Sequence, residues 1–122
     1  MREVRPYLNH IIGAIDRIRD YTSEGFSAFV ASQKTQDAVI RQLEIIGEAT
    51  RRVRDATATR VRQSARENPF FLEHPIVPWK AMIDFRQLAQ HEYERLDLDL
   101  VWQAVLELPA IRRALLAIRN VP

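Results

Sequence analysis

The stretch that decides the fold is QDAVIRQLEIIGEATRRVRD, residues 36–55. Its apolar side chains recur every three or four residues and form one stripe: Val39, Leu43, Ile46, Ala49 and Val53. Charged side chains lie off this stripe: Arg41, Glu44, Glu48, Arg51 and Arg52. Because an α-helix has 3.6 residues per turn, this pattern predicts an amphipathic helix that begins after Thr35 or Asp37.

Three further segments share the helical period. The first carries Leu8, Ile11, Ile12, Ile15 and Ile18 and is expected to end near Gly25. Another begins after Pro78, which suits the first turn of a helix, and continues with Trp79, Met82, Ile83, Arg86, Ala89 and Tyr93. The last carries Val101, Val105, Leu108, Ile111, Leu115 and Ile118; we expect Asp97 or Asp99 to cap it and Pro109 to kink it.

The connection between the second and third segments is less regular. Residues 55–68 are highly charged, with Val61 the only large apolar side chain, and predict a short exposed helix. Prolines then mark a loop that holds Phe70, Phe71 and Leu72. Since no segment has the pattern of a strand, the sequence predicts an all-α fold: one domain, residues 1–122, built as a four- to five-helix up-and-down bundle.

Composition limits the function classes. The 122 residues include no cysteine, which excludes disulfides, thiolate metal sites and a cysteine nucleophile. Charges and a proline near the N-terminus do not match a secretory signal, so we expect a cytoplasmic protein with no membrane partner. Nearly all basic residues are arginines, Lys34 and Lys80 being the only lysines. Arginine grips phosphate, so this composition permits an RNA partner, although a GC-rich genome explains it equally well.

Few residues offer chemistry. The histidines, His10, His74 and His91, lie in different segments without the spacing that places two ligands on one helix face, so we expect no metal site. With three glycines the chain has no phosphate-binding loop, and we expect no cofactor.

The segment RQLAQHEY, residues 86–93, combines the remaining candidates. Arg86 falls on the apolar stripe of its helix, where a charge is costly unless it meets a counter-charge or lines a solvated groove. Two residues seven positions apart on a helix point in directions that differ by about 20°, and two residues five positions apart differ by about 140°. Arg86 therefore shares a face with Tyr93 and not with His91. Arg86 and His91 converge only if the helix ends or distorts near Gln90, or if two chains meet. A salt-bridged structural arginine and a helix-terminal histidine explain the same residues without function.

These residues resemble a family, the HepT-like toxins of the HEPN superfamily. The similarity covers nearly the whole chain and rests on four segments: LEIIGEA (43–49), PIVPW (75–79), the signature Arg86-x4-His91-x-Tyr93, and LDLDLVW (96–102).

The resemblance implies a HEPN-like two-fold dimer that acts as a metal-independent endoribonuclease, the toxin of a type VII toxin–antitoxin pair. Arg86 and His91 would be the catalytic pair, and Tyr93 would be the residue to which a cognate minimal nucleotidyltransferase antitoxin attaches AMP. The homodimer would bind the antitoxin, either as a simple complex or in a higher assembly.

One residue departs from the family. Gln87 stands where the family usually has asparagine, and its amide lies one methylene farther out. If that supporting amide orients the arginine or the phosphate, the change weakens or abolishes activity. Two other functions therefore stay open: a non-catalytic module that binds a nucleotide or a nucleotidyltransferase, and a structural helical dimer in which the segment seals an interface.

Overall fold

The computed structural model describes the backbone of residues 1–91 and 97–122 and the side chains of residues 1–87 and 97–122. Within this described backbone there are six α-helices, one 3-10 turn and no strand, which confirms the all-α prediction. The helices are α1 (Arg5–Tyr21), α2 (Phe26–Ala31), α3 (Gln33–Thr57), α4 (Pro69–Glu73), α5 (Trp79–His91) and α6 (Leu98–Arg119); the 3-10 turn spans Ala65–Glu67.

The four long helices share one hydrophobic core. α3 packs against both α1 and α5, and α1 also packs against α6. The predicted stripe of α3 is buried throughout, as are the five predicted apolar residues of α1. Two polar contacts join α1 to α6: Arg112 Nε donates to Asp16 Oδ1 at 2.7 Å, and Arg119 Nη1 donates to Asn9 Oδ1 at 3.1 Å. These pairs run in opposite order along the two helices, so α1 and α6 are antiparallel.

α3 begins earlier than the sequence pattern predicted. The start expected after Thr35 or Asp37 was wrong, because Ser32 caps the helix and its hydroxyl accepts a hydrogen bond from the Thr35 amide at 3.1 Å. An N-cap serine satisfies an amide that the first turn leaves unpaired. Ser32 also separates α3 from α2, a short helix that the pattern did not predict and whose Phe29 is buried against Trp102.

The short helix expected over residues 55–68 was also wrong. α3 continues to Thr57, and the only helical element after it and before Asn68 is the 3-10 turn Ala65–Glu67. Val61 is 89% exposed, so this stretch buries no apolar stripe. Arg62 has a positive φ of 59°, which is outside the right-handed helical region. A short helix without a packed face is marginal in water, which explains why none forms.

The predicted proline-rich loop contains a short helix, α4. Asn68 caps it from a fully buried position: its Oδ1 accepts from the Phe71 amide at 3.0 Å, and its Nδ2 donates to the Arg54 carbonyl at 3.0 Å. Phe71 stacks on Trp79 with ring centroids 4.7 Å apart. Phe70 and Phe71 therefore cover the start of α5.

The end of α1 expected near Gly25 was wrong. The helix ends at Tyr21, where the Thr22 hydroxyl donates to the Ile18 carbonyl at 2.7 Å. Gly25 instead precedes α2.

The predicted starts of α5 and α6 agree with the structure. Trp79 is the first residue of α5, directly after Pro78, and its indole Nε1 donates to the His74 carbonyl at 2.9 Å. Asp97 caps α6, since its Oδ1 accepts from the amides of Asp99 and Leu100. Pro109 lies inside α6, and the kink expected there stays a prediction. None of the helices in residues 1–91 and 97–122 combines the length and the apolar composition needed to cross a membrane.

Candidate active site

α3 and α5 lie in close contact at Gly47. A Cβ atom on this residue would lie 2.8 Å from the backbone nitrogen of Arg86, 2.9 Å from the Arg86 Cβ and 3.1 Å from the Ile83 carbonyl oxygen. Real Cβ atoms essentially never come within 3.0 Å of such neighbours. The glycine in the LEIIGEA segment therefore allows the backbone of Arg86 to rest directly on α3.

Arg86 lies at the edge of the packed core rather than inside it. Its side chain is 44% exposed, and its Nε is 3.9 Å from Oε2 of Glu48. Two features offset the free-energy cost of placing the charge of Arg86 on the apolar stripe. The guanidinium faces the carboxylate of Glu48, and it lines a groove that is open to solvent.

Glu48 is the centre of a small charge cluster. Arg51 Nη2 donates to Glu48 Oε1 at 2.8 Å, and Arg52 Nε lies 3.4 Å from the same oxygen. The hydrogen bond from Arg51 lowers the pKa of the Glu48 carboxyl, and the charges of Arg51, Arg86 and Arg52 lower it further against the opposing effect of partial burial. The carboxylate is thus held ionised beside Arg86.

The groove beside Arg86 is a cavity of about 550 Å³, which is within the size range of small-molecule sites. Helix α1 forms one wall and the polar face of α3 forms the other. The lining residues are Tyr7, His10, Arg41, Glu44, Ile45, Glu48, Ala49, Arg52 and Arg86. The cavity therefore combines arginine donors, two carboxylates, aromatic rings and an apolar floor.

The family model described as "Ribonuclease HepT-like" matches residues 11–118 of the chain. This match covers most of the sequence, including the residues that form the cavity from Arg41 to Arg86. The chain belongs to the HepT-like ribonuclease family.

Relatives agree with this assignment. A protein of Thermococcus cleftensis named "Probable ribonuclease HepT" is 35% identical over 113 residues, which cover 91% of each chain. A Methanocaldococcus jannaschii protein named "Putative RNase" is 32% identical over 114 residues, covering 92% of this chain and 93% of its own length. A second protein of that organism, named "Gamma-glutamylcyclotransferase and putative RNase", is 32% identical over 119 residues but is matched over only 48% of its length. No solved structure matches the chain significantly.

The other predicted site residues of this HepT-like chain are placed only in part. Gln87 is exposed on α5 next to Arg86. His91 is the last residue of α5, and only its backbone is described. The side chain of His91 and the whole of Tyr93 lie outside the described part of the chain. Whether Arg86 and His91 converge thus stays a prediction. Among the described residues, no group of three His, Asp or Glu side chains could hold a metal ion.

Sequence reasoning missed the far wall of the cavity. Tyr7 and His10 come from α1, and only the packing of α1 on α3 brings them near Arg86. The charged α3 residues do share one face: Arg41, Glu44, Glu48 and Arg52 fall within an arc of about 80° on the helix. A charged arc by itself is typical of an ordinary solvated face, so this pattern does not identify the groove without the packing of α1 and α5.

Proposed function

We propose that this HepT-like chain is a metal-independent endoribonuclease, the toxin of a type VII toxin–antitoxin pair, with Arg86 and His91 as its catalytic pair. The observation that carries the proposal is the position of Arg86 at the cavity, 44% exposed and backed by Glu48. Relatives named as ribonucleases over nearly their full length support an RNA substrate.

Arg86 is suited to hold the scissile phosphate. Its guanidinium is a planar donor that binds two phosphate oxygens at once, and it stabilises the charge that builds on them in the transition state. At 3.9 Å the contact with Glu48 is an ion pair rather than a hydrogen bond, so Glu48 positions the guanidinium without using its N–H donors.

His91 is proposed to transfer the protons. An imidazole is the side chain best suited to proton transfer near neutral pH, so a histidine here can accept the proton of the ribose 2′-hydroxyl or return one to the departing 5′-oxygen. The 2′-oxygen attacks the phosphorus as the bond to the 5′-oxygen breaks. The products are a 2′,3′-cyclic phosphate and a free 5′-hydroxyl, and the RNA supplies its own nucleophile.

Control by a partner enzyme is the second part of the proposal. A minimal nucleotidyltransferase antitoxin transfers AMP from ATP to the Tyr93 hydroxyl and releases pyrophosphate. The added phosphate and adenosine would then occupy the groove that RNA must enter. A two-fold dimer would bring both copies of the Arg86–Tyr93 segment to a shared cleft. Arg86 of one chain could then meet His91 of the other, although their five-residue spacing places them on different faces of one helix.

Expression of the chain alone tests the toxin function. We expect growth arrest and loss of RNA integrity with the wild type, and neither with His91→Ala. Equal growth and intact RNA in both strains would reject the proposal. Nucleotide binding that Arg86→Ala abolishes, without RNA cleavage under any condition, would instead favour the non-catalytic binding module.

Mass spectrometry tests the control mechanism. After co-expression with a minimal nucleotidyltransferase antitoxin, we expect the mass of one AMP on the wild type and none on Tyr93→Phe. Modification that persists in Tyr93→Phe would assign the AMP to another residue. Tyr7 and Tyr21 are the other tyrosines of the chain, so peptide mapping resolves the three sites.

A further inference from the structure

We propose that the α1 wall of the cavity, formed by Tyr7 and His10, is a base-stacking subsite that binds a nucleotide of the RNA next to the phosphate held by Arg86. This inference rests on the proposed function for its substrate class. It adds a binding role for two residues outside the Arg86–Tyr93 segment.

The two rings form a prearranged aromatic surface. Tyr7 and His10 lie one turn apart on α1, with ring centroids 6.3 Å apart and planes at 74°, an edge-to-face arrangement. Tyr7 is half-buried and packs against the hydrophobic core, whereas His10 is exposed. A ring that the core already holds in place loses little conformational freedom when a base stacks on it.

The floor of the cavity suits a base as well. Ile45 and Ala49 lie between the α1 wall and the charged residues of α3, and Ile45 also packs against the core. A nucleotide has an apolar base face and an anionic phosphate, and the cavity offers an apolar floor beside arginines. Stacking of a base on an aromatic side chain is tolerant of sequence because every base has a π-face.

The α3 wall is long enough for more than one nucleotide. Arg41 and Arg52 are eleven residues apart, which is about 16 Å along the helix axis, compared with about 3.4 Å per stacked nucleotide of a strand. Arg86 contacts α3 between them, at Gly47 and Glu48. A phosphate at Arg86 therefore leaves room on both sides for neighbouring nucleotides.

Stacking rather than charge is expected to dominate this subsite. Glu44 lies 3.8 Å from Arg41, and Glu48 lies 3.4 Å from Arg52, so carboxylates offset much of the arginine charge. A wall with offset charges attracts the phosphate backbone weakly. Binding at the α1 wall should therefore depend little on salt, in contrast to a purely electrostatic RNA surface.

The test is equilibrium binding of a fluorescent ten-nucleotide RNA in which 2′-O-methyl groups block cleavage, measured with the full chain. We expect Tyr7→Leu to weaken binding about tenfold at both low and high salt, since it removes the stacking surface. Tyr7→Phe keeps the ring and should bind within twofold of wild type. Tyr21→Leu is the matched control, because Tyr21 is on the same helix, 41% exposed, and does not line the cavity.

Unchanged binding by Tyr7→Leu, or an equal loss in Tyr21→Leu, would overturn the subsite. If Tyr7→Leu fails to fold by circular dichroism, His10→Ala replaces it, because His10 is exposed and its removal should spare the core. His10→Ala should weaken binding severalfold, and wild-type affinity in this variant would reject the inference.

Cleavage assays separate this inference from the proposed function. If the wild type cleaves RNA, Tyr7→Leu should raise KM with little change in kcat, and unchanged KM would reject the subsite while the ribonuclease stands. If the wild type binds the blocked RNA through Tyr7 but cleaves nothing, the subsite stands and the ribonuclease function fails.

Discussion

Gly47 of α3 lies so close to α5 that a Cβ atom there would be 2.8 Å from the backbone nitrogen of Arg86. The relationship ties the position of the proposed phosphate-binding arginine to one residue on the neighbouring helix. The neighbouring atoms are mostly backbone, so they cannot move aside without separating the helices.

Gly47→Ala should therefore destabilise the protein and displace Arg86. We expect the free energy of unfolding to fall by about 1–3 kcal/mol, as for other overpacked core sites, and RNA cleavage to fall with it. Urea denaturation followed by circular dichroism measures the change. Gly13→Ala is the control: a Cβ there would meet only the Arg17 guanidinium, at 3.6 Å, so the helix should gain about 0.5–1 kcal/mol. Equal effects at both glycines would contradict the close packing.

Glu48→Gln should reduce cleavage by loosening Arg86. The amide keeps the shape of the side chain but loses the charge that faces the guanidinium at 3.9 Å. We expect kcat to fall severalfold while the fold stays intact, with partial recovery in Glu48→Asp. Asp55→Asn is the control, because it removes a carboxylate of α3 that pairs with Arg54 away from the cavity and should spare kcat. Equal kcat values for wild type and Glu48→Gln would show that the ion pair does not position Arg86.

Acid should remove the contribution of Glu48 to stability. Its pKa in the folded protein lies below the ordinary value of 4.5, mainly because Arg51 donates a hydrogen bond to the carboxylate. The stabilisation is therefore fully present above about pH 4.5 and is lost as the pH falls through the lowered pKa. The difference in unfolding free energy between wild type and Glu48→Gln should be largest near neutral pH and shrink on acidification. A difference that grows in acid would contradict the direction of the pKa shift.

Asn68→Ala should destabilise the connection to α5 without touching the chemistry. The substitution leaves the Arg54 carbonyl and the Phe71 amide without their buried partner, at a cost of about 1–3 kcal/mol. Asn68→Asp keeps an oxygen for the Phe71 amide but loses the donor to Arg54, so its loss should be smaller. Denaturation midpoints measure both. Activity per folded molecule should stay at the wild-type value, and a selective loss of activity would assign Asn68 a role in the site.

The helices were predictable wherever a long apolar stripe and a cap occur together. The stripe of α3 and the cap of α6 by Asp97 follow from side-chain spacing and from the needs of the first turn. α2 was missed because six residues are too few to show a helical period of apolar side chains. The charged stretch around Val61 was wrongly predicted to be helical, since it has no apolar face to pack on the core.

The candidate site was predictable only along α5. A charge on an apolar stripe marked Arg86 as a candidate site residue. The structure explains this position by the counter-charge of Glu48 and by the groove that Arg86 lines. Tyr7, His10 and Glu48 could not be joined to Arg86 from spacing, since only the packing of both α1 and α5 on α3 brings these residues to one cavity. His91 and Tyr93 entered through the family resemblance, and their roles stay predictions.

The most direct test of the central claim is RNA cleavage by the purified chain in the presence of EDTA, compared with Arg86→Ala and His91→Ala. We predict that the wild type cleaves a single-stranded RNA and leaves 2′,3′-cyclic phosphate and 5′-hydroxyl ends. Each variant should lose at least about a hundredfold in rate while keeping its circular dichroism spectrum. Cleavage that EDTA abolishes, or that both variants retain at the wild-type rate, would contradict a metal-independent ribonuclease centred on Arg86 and His91.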